Sequence, residues 1–224
     1  MQATKAMTRA TQLHDTLRAD ILRGVLSPGT PLRLAALAEA YDGSMSVVRE
    51  ALGRLAEHNL AVWTPNQGYR VIEISRADVV NITELRTMLE ADALRRSIES
   101  GDVRWEAEVI SAHHVLERAT LRDDSSPGST QEWSEAHTAF HEALVSACGN
   151  PRLLALTRSL RDGAEIYRQL SGASVHGMDR DIAAEHRELM ELATARKSAQ
   201  AQAVLVHHLE QTTDDLLASG TLPS

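Results

Sequence analysis

Hydrophobic residues near the start of the chain follow a helical spacing. Leu13, Leu17 and Ile21 recur at every fourth position, which places them on one face of a predicted helix. Gly24 and the Ser-Pro-Gly run at 27–29 favour a turn and end that helix. The ten residues at the start of the chain are mostly small or polar and show no period, which predicts a tail.

Two further helices and a hairpin are predicted before residue 75. A short helix covers about 33–41, and a third helix begins after an Asp-Gly turn with Ser44 or Ser46 as its cap. The third helix is expected to bury Val48, Ala51, Leu52 and Leu55. Two strand-like runs, 60–64 and 69–73, follow and are joined by a Pro-Asn-Gln-Gly loop. This order of helices and hairpin is typical of a winged helix-turn-helix.

From residue 76 onward the hydrophobic pattern is helical and contains no strand-like run. Six helices are predicted at about 77–99, 103–121, 131–148, 151–170, 179–195 and 199–217. Short polar turns separate them, so an antiparallel bundle is expected and the fold is predicted to be mainly α. The predicted segments are a tail at 1–10, a winged helix-turn-helix domain at 11–75, a helical domain at 76–218 and a tail at 219–224.

Composition narrows the class of protein. Hydrophobic residues make up 43% of the 224 residues and charged residues 24%, which suits a packed core under a polar surface. No apolar run approaches the roughly 18 residues that span a bilayer, and no secretory signal is visible, so no membrane association is expected. The single cysteine, Cys148, favours the reducing cytoplasm. Nearly all of the net charge of −8 lies behind residue 75, which suggests different partners for the two domains.

The third predicted helix carries side chains that suit a DNA-reading helix. In a helix-turn-helix this element lies in the major groove with its N-terminal residues facing the bases. Arg49 shares an exposed face with Ser46, and arginine binds phosphate or grips guanine through two hydrogen bonds. The hairpin loop is expected to approach the neighbouring backbone or minor groove. The predicted DNA-binding residues are Arg33, Ser44, Met45, Ser46, Arg49, Asn66, Gln67 and Gly68. The alternative is a hairpin of helices that only packs and exposes solvated serines and arginine.

The order of several motifs in this region resembles the GntR family of bacterial transcriptional regulators. The motifs are GVLSPG at 24–29, Leu37-Ala38, SMSVVREAL at 44–52 and PNQGY at 65–69. Residues 76–218 resemble the helical effector-binding and dimerisation domain of the FadR-like branch of that family. The resemblance implies a homodimer that binds a palindromic operator in double-stranded DNA. Met45 and Gln67 stand where the family often has arginine, which predicts fewer cationic contacts and an altered operator preference.

Four of the ten histidines lie on apolar faces of three predicted helices. His137 and His141 are one turn apart on the same helix. His186 and His208 each lie eleven residues from Lys197, in the turn between the last two helices, so an antiparallel pair brings them to the same height. The four imidazoles are therefore expected to converge on one point, as a divalent metal requires. The alternative is that each is a core histidine held by a hydrogen bond.

The family resemblance supports the metal interpretation. Many domains of this kind hold a metal through an aspartate, a histidine four residues later, a histidine at a Glu-His-Arg helix start and a histidine before a leucine. The matching residues here are His137, His141, His186 and His208, with His137 where aspartate is usual. Four neutral imidazoles leave the full charge of a divalent ion, which attracts an anion, and they disfavour metals that prefer oxygen. We expect Zn²⁺ or Ni²⁺.

Arg86 is expected to meet that anion. It lies beside an inward apolar stripe, and a partly buried guanidinium needs an anionic partner. In the family an arginine in a Glu-x-Arg start contacts the carboxylate of the effector, and the run here is Glu84-Leu85-Arg86. Together with the metal, Arg86 would hold a small organic acid at two points. The alternative is a structural ion pair with Glu90, one turn further on.

The expected function is a DNA-binding repressor whose operator binding responds to a small carboxylate effector. One alternative is a regulator in which the divalent ion itself is the signal, and another is a helical metalloenzyme. Against the enzyme, no inward histidine follows a glutamate by three residues, and the His-Glu-x-x-His pattern is missing, so no catalytic residue is predicted. His113 and His114 lie at the edge of an apolar stripe and are left outside the site, and His207 is expected to be exposed.

Overall fold

A computed structural model describes residues 8–122, 128–172 and 180–222. The chain forms two compact units, Met1–Ile74 and Ser75–Ser224, called here the N-terminal unit and the helical unit. The prediction of a mainly α fold, with a winged helix-turn-helix followed by a helical bundle, is confirmed. Within the described ranges, every helix is too short or too polar to cross a bilayer.

The N-terminal unit combines three helices with a small antiparallel sheet. Its elements are α1 (Arg9–Leu22), β1 (Pro31–Leu32), α2 (Leu34–Ala40), α3 (Met45–Glu57), β2 (Ala61–Thr64) and β3 (Gly68–Val71). The strand order is β1-β3-β2, so the hairpin of β2 and β3 is extended by β1. Trp63 pairs with Tyr69 across the hairpin, and Tyr69 pairs with Leu32 on the other side.

The core of this unit lies between α1 and α3, with α2 packed on α3. The predicted inward face of α3 is confirmed, since Val48, Ala51, Leu52 and Leu55 are each 0% exposed. The stripe of α1 is confirmed as well, because Leu13, Leu17 and Ile21 are buried. Burying one such aliphatic side chain stabilises the fold by about 1.5–3 kcal/mol, so these residues hold α3 in place.

Two features of this unit differ from the sequence prediction. Helix α1 begins at Arg9 instead of after residue 10, because the Thr8 hydroxyl accepts a hydrogen bond from the Thr11 amide at 3.2 Å and caps the helix. Ala10 is buried, so the predicted tail at 1–10 extends too far into the chain, and residues 1–7 lie outside the described ranges. Strand β1 was not predicted, because two residues are too few to show a period.

The helical unit contains the six predicted helices. They are α4 (Arg76–Ser100), α5 (Val103–Arg118), α6 (Gln131–Val145), α7 (Pro151–Gly172), α8 (Ile182–Thr194) and α9 (Ser198–Ser219). Helix α5 ends before the predicted residue 121. The predicted start of α8 at 179 lies outside the described residues, and the helix begins after Asp181, whose side chain accepts from the Ala184 amide. Helix α9 reaches Ser219, and Leu222 is buried, so the predicted C-terminal tail at 219–224 is partly structured.

Packing of these helices turns three apolar faces toward one core. Helix α4 lies against α9 and α7, α5 lies against α6 and α8, and α8 lies against α9. The most deeply buried side chains at the centre include Leu94, Phe140, Leu144, Leu189 and Leu205. Arg196, with a φ of 60°, forms the tight turn that folds α9 back on α8. The inward faces of α6, α8 and α9 therefore meet, and these faces carry the histidines.

Candidate functional site

The N-terminus of α3 exposes the side chains that the sequence predicts to face DNA. Ser44 is the cap of the helix, and its hydroxyl accepts from the Val47 amide at 3.3 Å and lies 2.9 Å from the Ser46 hydroxyl. Ser46 and Arg49 are exposed, and Met45 is 48% exposed although it is apolar. The predicted reading face of α3 is thus open to solvent, while the opposite face holds the core.

The hairpin loop presents a second set of predicted residues. Asn66 and Gly68 have positive φ values of 62° and 80°, and the Gln67 amide donates to the Thr64 carbonyl at 3.1 Å. Glycine adopts this conformation without strain, which lets the main chain turn tightly there. Asn66 and Gln67 are exposed, and Arg33, just before α2, is exposed too. All eight residues predicted to bind DNA are therefore at least partly accessible.

The structure brings together all four histidines that the sequence singled out. His137 and His141 lie on α6, His186 on α8 and His208 on α9. One ring nitrogen from each can be chosen so that the four atoms lie within 4.8 Å of one another. The ring centroids of His186 and His208 are 4.8 Å apart, as the equal spacing from Lys197 predicts. We call these four residues the histidine cluster.

The histidine cluster is buried, and burial favours the uncharged form of its imidazoles. The four residues are between 2% and 8% exposed. Burial holds the pKa of His137, His141 and His186 well below the ordinary imidazole value, and neighbouring histidines lower it further. Burial also lowers the pKa of His208, although a hydrogen bond to Glu185 acts in the opposite direction. Neutral imidazole is the form that binds a metal.

Two ring nitrogens of the cluster have no partner in the described part of the chain. They are Nε2 of His141 and Nε2 of His186, both buried. An unpaired buried polar atom costs free energy, about 1–3 kcal/mol for each group. In a tetrahedral site with metal–nitrogen bonds near 2.0–2.1 Å, nitrogens lie about 3.3 Å apart, and opposite nitrogens of an octahedral site lie about 4.2 Å apart. Small inward movements of the rings would bring this donor set around a divalent ion, so the cluster could hold a metal.

Glu185 and Arg180 hold His208 in one orientation. Nδ1 of His208 donates to Oε2 of Glu185 at 2.7 Å, so Nε2 is left as the ring nitrogen that can bind a metal. Arg180 donates to both oxygens of Glu185, at 2.6 and 2.5 Å, and to the His208 carbonyl at 2.9 Å. Burial raises the pKa of Glu185, but the hydrogen bonds from Arg180 and His208 outweigh it and lower the pKa to about 2. The carboxylate therefore stays ionised.

Trp133 links the cluster to a second arginine. Its ring stacks on His137, with centroids 4.7 Å apart and an interplanar angle of 19°. The guanidinium carbon of Arg168 lies 4.9 Å from the centroid of the same ring. Arg168 also donates to Glu165 and to the hydroxyls of Ser129 and Ser134. Trp133 is thus held between a cation and an imidazole, and it positions both.

A cavity of about 40 Å³ opens beside His137 and His208. Among the described residues, the arginines that line it are Arg122, Arg168 and Arg180. The sequence pattern does not single out Arg168 or Arg180. Arg180 precedes α8 and belongs to no periodic pattern, and the only sequence signal for Arg168 is a glutamate three positions earlier in α7. The guanidinium groups line the cavity together with the carboxylate of Asp215; Arg168 pairs with Glu165, and Arg180 pairs with Glu185 and lies 3.5 Å from Asp215.

The structure places Arg86 on the α4 side of the cluster, in an ion pair. Its Nε donates to Oε1 of Glu90 at 2.7 Å, and the Glu90 side chain is 1% exposed. Arg161 lies 3.8 Å from the other oxygen of Glu90. The charge of Arg86 nevertheless reaches the cluster, since it contributes to lowering the pKa of His141 and His208. The pairing with Glu90 that sequence analysis considered as the alternative is therefore present.

The other described histidines of the helical unit, His113, His114 and His207, differ in exposure. His207 is exposed, as predicted, and so is His114. His113, left outside the site by sequence analysis, is buried at 6% exposure and packs edge-on against Phe140, with centroids 5.5 Å apart. The hydrophobic period of α5 places His113 and His114 at the edge between its apolar and polar faces. Packing against Phe140 of α6 decides that His113 is the buried one.

The fold defines a class of protein in which a winged helix-turn-helix is followed in the chain by a bundle of helices. The family description "Bacterial regulatory proteins, gntR family" matches residues 9–71, and the FCD domain matches residues 81–211. The chain therefore belongs to the gntR family of bacterial regulatory proteins and carries an FCD domain.

Similar proteins agree with this assignment. The HTH-type transcriptional regulator BphR of Paraburkholderia xenovorans (strain LB400) is 34% identical over 200 residues, which cover 88% of this chain and 80% of BphR. The HTH-type transcriptional repressor GlaR of Escherichia coli (strain K12) is 32% identical over 197 residues, 86% of this chain and 89% of GlaR. The solved structure of E. coli McbR/YncC shares the fold, with a TM-score of 0.75 over 95% of this chain and 98% of that chain at 21% identity. The protein is a DNA-binding transcriptional regulator and not an enzyme.

Proposed function

We propose that the protein is a cytoplasmic, homodimeric repressor whose binding to a palindromic operator is controlled by a small organic acid. The observation that carries the proposal is the convergence of four buried, neutral imidazoles beside a cavity lined by arginines. Burial strengthens electrostatic attraction, because buried charges are screened less by solvent than exposed ones. A carboxylate is the small anion that such a site would bind most directly.

The cofactor in this proposal is a divalent ion, Zn²⁺ or Ni²⁺, held by the histidine cluster. Imidazole nitrogen suits these metals, and the unpaired Nε2 atoms of His141 and His186 provide donors that otherwise remain unsatisfied. When bound, the ion supplies an uncompensated positive charge, since all four ligands are neutral. Glu185 fixes the orientation of His208, which is the role that carboxylates play behind metal-binding histidines.

Arginines that line the cavity are proposed to bind the carboxylate of the effector. Arg168 and Arg180 are the strongest candidates, because both border the cavity beside His137 or His208. Contact with the effector requires Glu165 and Glu185 to share these guanidinium groups. Direct contact between Arg86 and the effector stays a prediction, and it requires Glu90 to share the guanidinium. A calorimetric titration of the Arg86→Ala variant tests it, since unchanged effector affinity would leave Arg86 only its structural pair.

DNA binding is proposed to use the exposed end of α3 together with the hairpin loop. Arg49 would contact a guanine or a phosphate, and Ser44, Met45 and Ser46 would face the bases. Arg33, Asn66, Gln67 and Gly68 are proposed to contact the backbone or the adjacent groove. A dimer is favoured by the apolar side chains that α4 exposes, which are Val80, Leu85 and Met88 at 46%, 48% and 64% exposure.

An operator-binding titration tests the coupling between the two units. The operator is first selected from random duplex DNA, and its affinity is then measured for metal-free protein, for zinc-loaded protein and for zinc-loaded protein with each of a panel of carboxylates. We expect an acid to weaken operator binding only when the metal is present, by the roughly 5- to 150-fold typical of allosteric coupling. Release of DNA by zinc alone, without any acid, would instead favour a metal-sensing regulator. No effect of metal or acid would contradict the proposal.

A further inference from the structure

A second cavity, also lined by Trp133, borders the histidine cluster and is mainly apolar. It has a volume of about 210 Å³ and lies among α5, α6 and α8. Its apolar lining consists of Leu116, Ala119, Leu121, Trp133, Ile182 and Ala183. The other lining residues are His113, Glu117 and His186. We call this space the apolar cavity and the one lined by arginines the arginine cavity.

The two cavities are neighbours. Leu121, Trp133 and Ile182 line both of them, so the two spaces adjoin at these three side chains. Both also reach the histidine cluster, since His137 and His208 line the arginine cavity and His186 lines the apolar cavity. A single small molecule can therefore contact the arginines, the cluster and the apolar lining at once.

We propose that the apolar cavity receives the hydrocarbon part of the effector, so that the effector is an amphipathic acid with a ring or an aliphatic chain. This inference rests on the proposed function, because it extends the same binding site. The size of the apolar cavity is sufficient for a ring, because an engineered protein cavity of about 150 Å³ lined by aliphatic and aromatic side chains binds benzene. The apolar cavity is larger than that and is lined by the same kinds of side chain.

Charge fixes the orientation of such a ligand. Among the described residues that line the apolar cavity, the charged one is Glu117, a carboxylate that pairs with Arg187 at 2.7 Å. The arginine cavity is lined by three arginines, Arg122, Arg168 and Arg180, and by one carboxylate, Asp215, so its lining carries more positive charge even though Arg168 pairs with Glu165 and Arg180 with Glu185. A carboxylate is therefore attracted to the arginine cavity, and the hydrocarbon part is directed past Trp133 into the apolar cavity.

The test compares acids that differ only in their apolar part, titrated calorimetrically into the zinc-loaded, full-length protein. Acetate is compared with phenylacetate and with hexanoate. We expect at least about tenfold tighter binding of one of the larger acids, because it buries several additional carbon atoms. The variant Ala119→Phe fills the apolar cavity and is expected to remove this advantage while zinc content and acetate affinity stay unchanged. Ala107→Phe, on an exposed face of α5, is the matched control and should retain the advantage.

Each outcome separates this inference from the proposed function. Equal affinity for acetate and the larger acids would overturn the inference and leave an acid effector in place. Tight binding of phenylacetate that survives in Ala119→Phe would also overturn it, because the ring would then lie elsewhere. Failure of all three acids to bind zinc-loaded protein would contradict the proposed function itself. If Ala119→Phe does not fold, Ala183→Leu, at an exposed position that borders the same cavity, replaces it with the same expected result.

Discussion

The two units of the protein keep their candidate functional side chains in opposite environments. In the N-terminal unit, Arg49 and Asn66 are exposed and Met45 is 48% exposed. In the helical unit, the four histidines are at most 8% exposed. DNA is a large partner that is bound by a surface, so its contacts must stand in solvent before it arrives. A metal ion is small, and its ligands must be gathered and desolvated in advance.

This difference has a thermodynamic consequence. An exposed contact residue contributes little to folding, so replacing it should change binding and leave stability almost unchanged. A buried imidazole with an unpaired nitrogen belongs to the core and to the site at once, so replacing it should change both. The following predictions test that distinction, beginning with the largest expected effect.

Removal of two ligands of the histidine cluster should abolish metal binding. The variant His141→Ala/His186→Ala loses the two unpaired Nε2 donors, so we expect zinc content to fall from about one ion per chain to none. This loss is larger than the roughly 10- to 100-fold decrease in metal affinity that follows when a residue hydrogen-bonded to a ligand is replaced. Elemental analysis of protein purified without a histidine tag measures this. His113→Ala is the control, since His113 is also buried, at 6% exposure, but lies outside the cluster. Equal zinc loss in the control would refute the assignment.

Truncation of Arg49 should abolish detectable operator binding at physiological salt. Loss of one guanidinium that contacts a base or a phosphate costs about 1–3 kcal/mol, which is a factor of about 5 to 150 in affinity. Fluorescence anisotropy with labelled operator measures the affinity, and thermal unfolding should show no change. Arg23→Ala, at an arginine just past α1 that is 56% exposed, should bind as the natural protein does. Near-normal affinity of Arg49→Ala would remove the role proposed for α3.

Replacement of Glu185 by glutamine should weaken metal binding without removing a ligand. The amide keeps the shape of the side chain but loses the charge that orients His208, so zinc affinity is expected to fall about 10- to 100-fold. Competition with a zinc chelator of known affinity measures the change. Glu188→Gln, on an exposed position of the same helix, serves as the control. If both variants hold zinc equally well, Glu185 has no positioning role.

The smallest effect is expected at the cap of α3. Ser44→Ala removes the hydroxyl that accepts from the Val47 amide, and loss of such a cap lowers the free energy of unfolding by about 1 kcal/mol. Ser46→Ala removes a nearby hydroxyl that makes no cap, so it should unfold as the natural protein does. Thermal or urea unfolding followed by circular dichroism distinguishes the two. Identical stability of both variants would mean that the Ser44 cap contributes nothing measurable.

Most of the fold was predictable because it depends on local periods. The stripes of α1 and α3 and the six helices of the bundle are confirmed by the structure, since a repeat of hydrophobic residues specifies which face of a helix is buried. The exceptions are elements without a period. Strand β1 has two residues, and the start of α1 depends on a single hydroxyl of Thr8.

The convergence of the four histidines could also be predicted from their spacing in the sequence. Equal distances of His186 and His208 from one tight turn, and a one-turn spacing of His137 and His141, are local quantities that place the rings at defined heights on defined faces. Distances between helices are not local, and they result from how side chains of separate elements pack. For that reason only the folded molecule shows that Glu185 holds His208, that Arg168 and Arg180 line the arginine cavity, and that an apolar cavity adjoins it at Trp133.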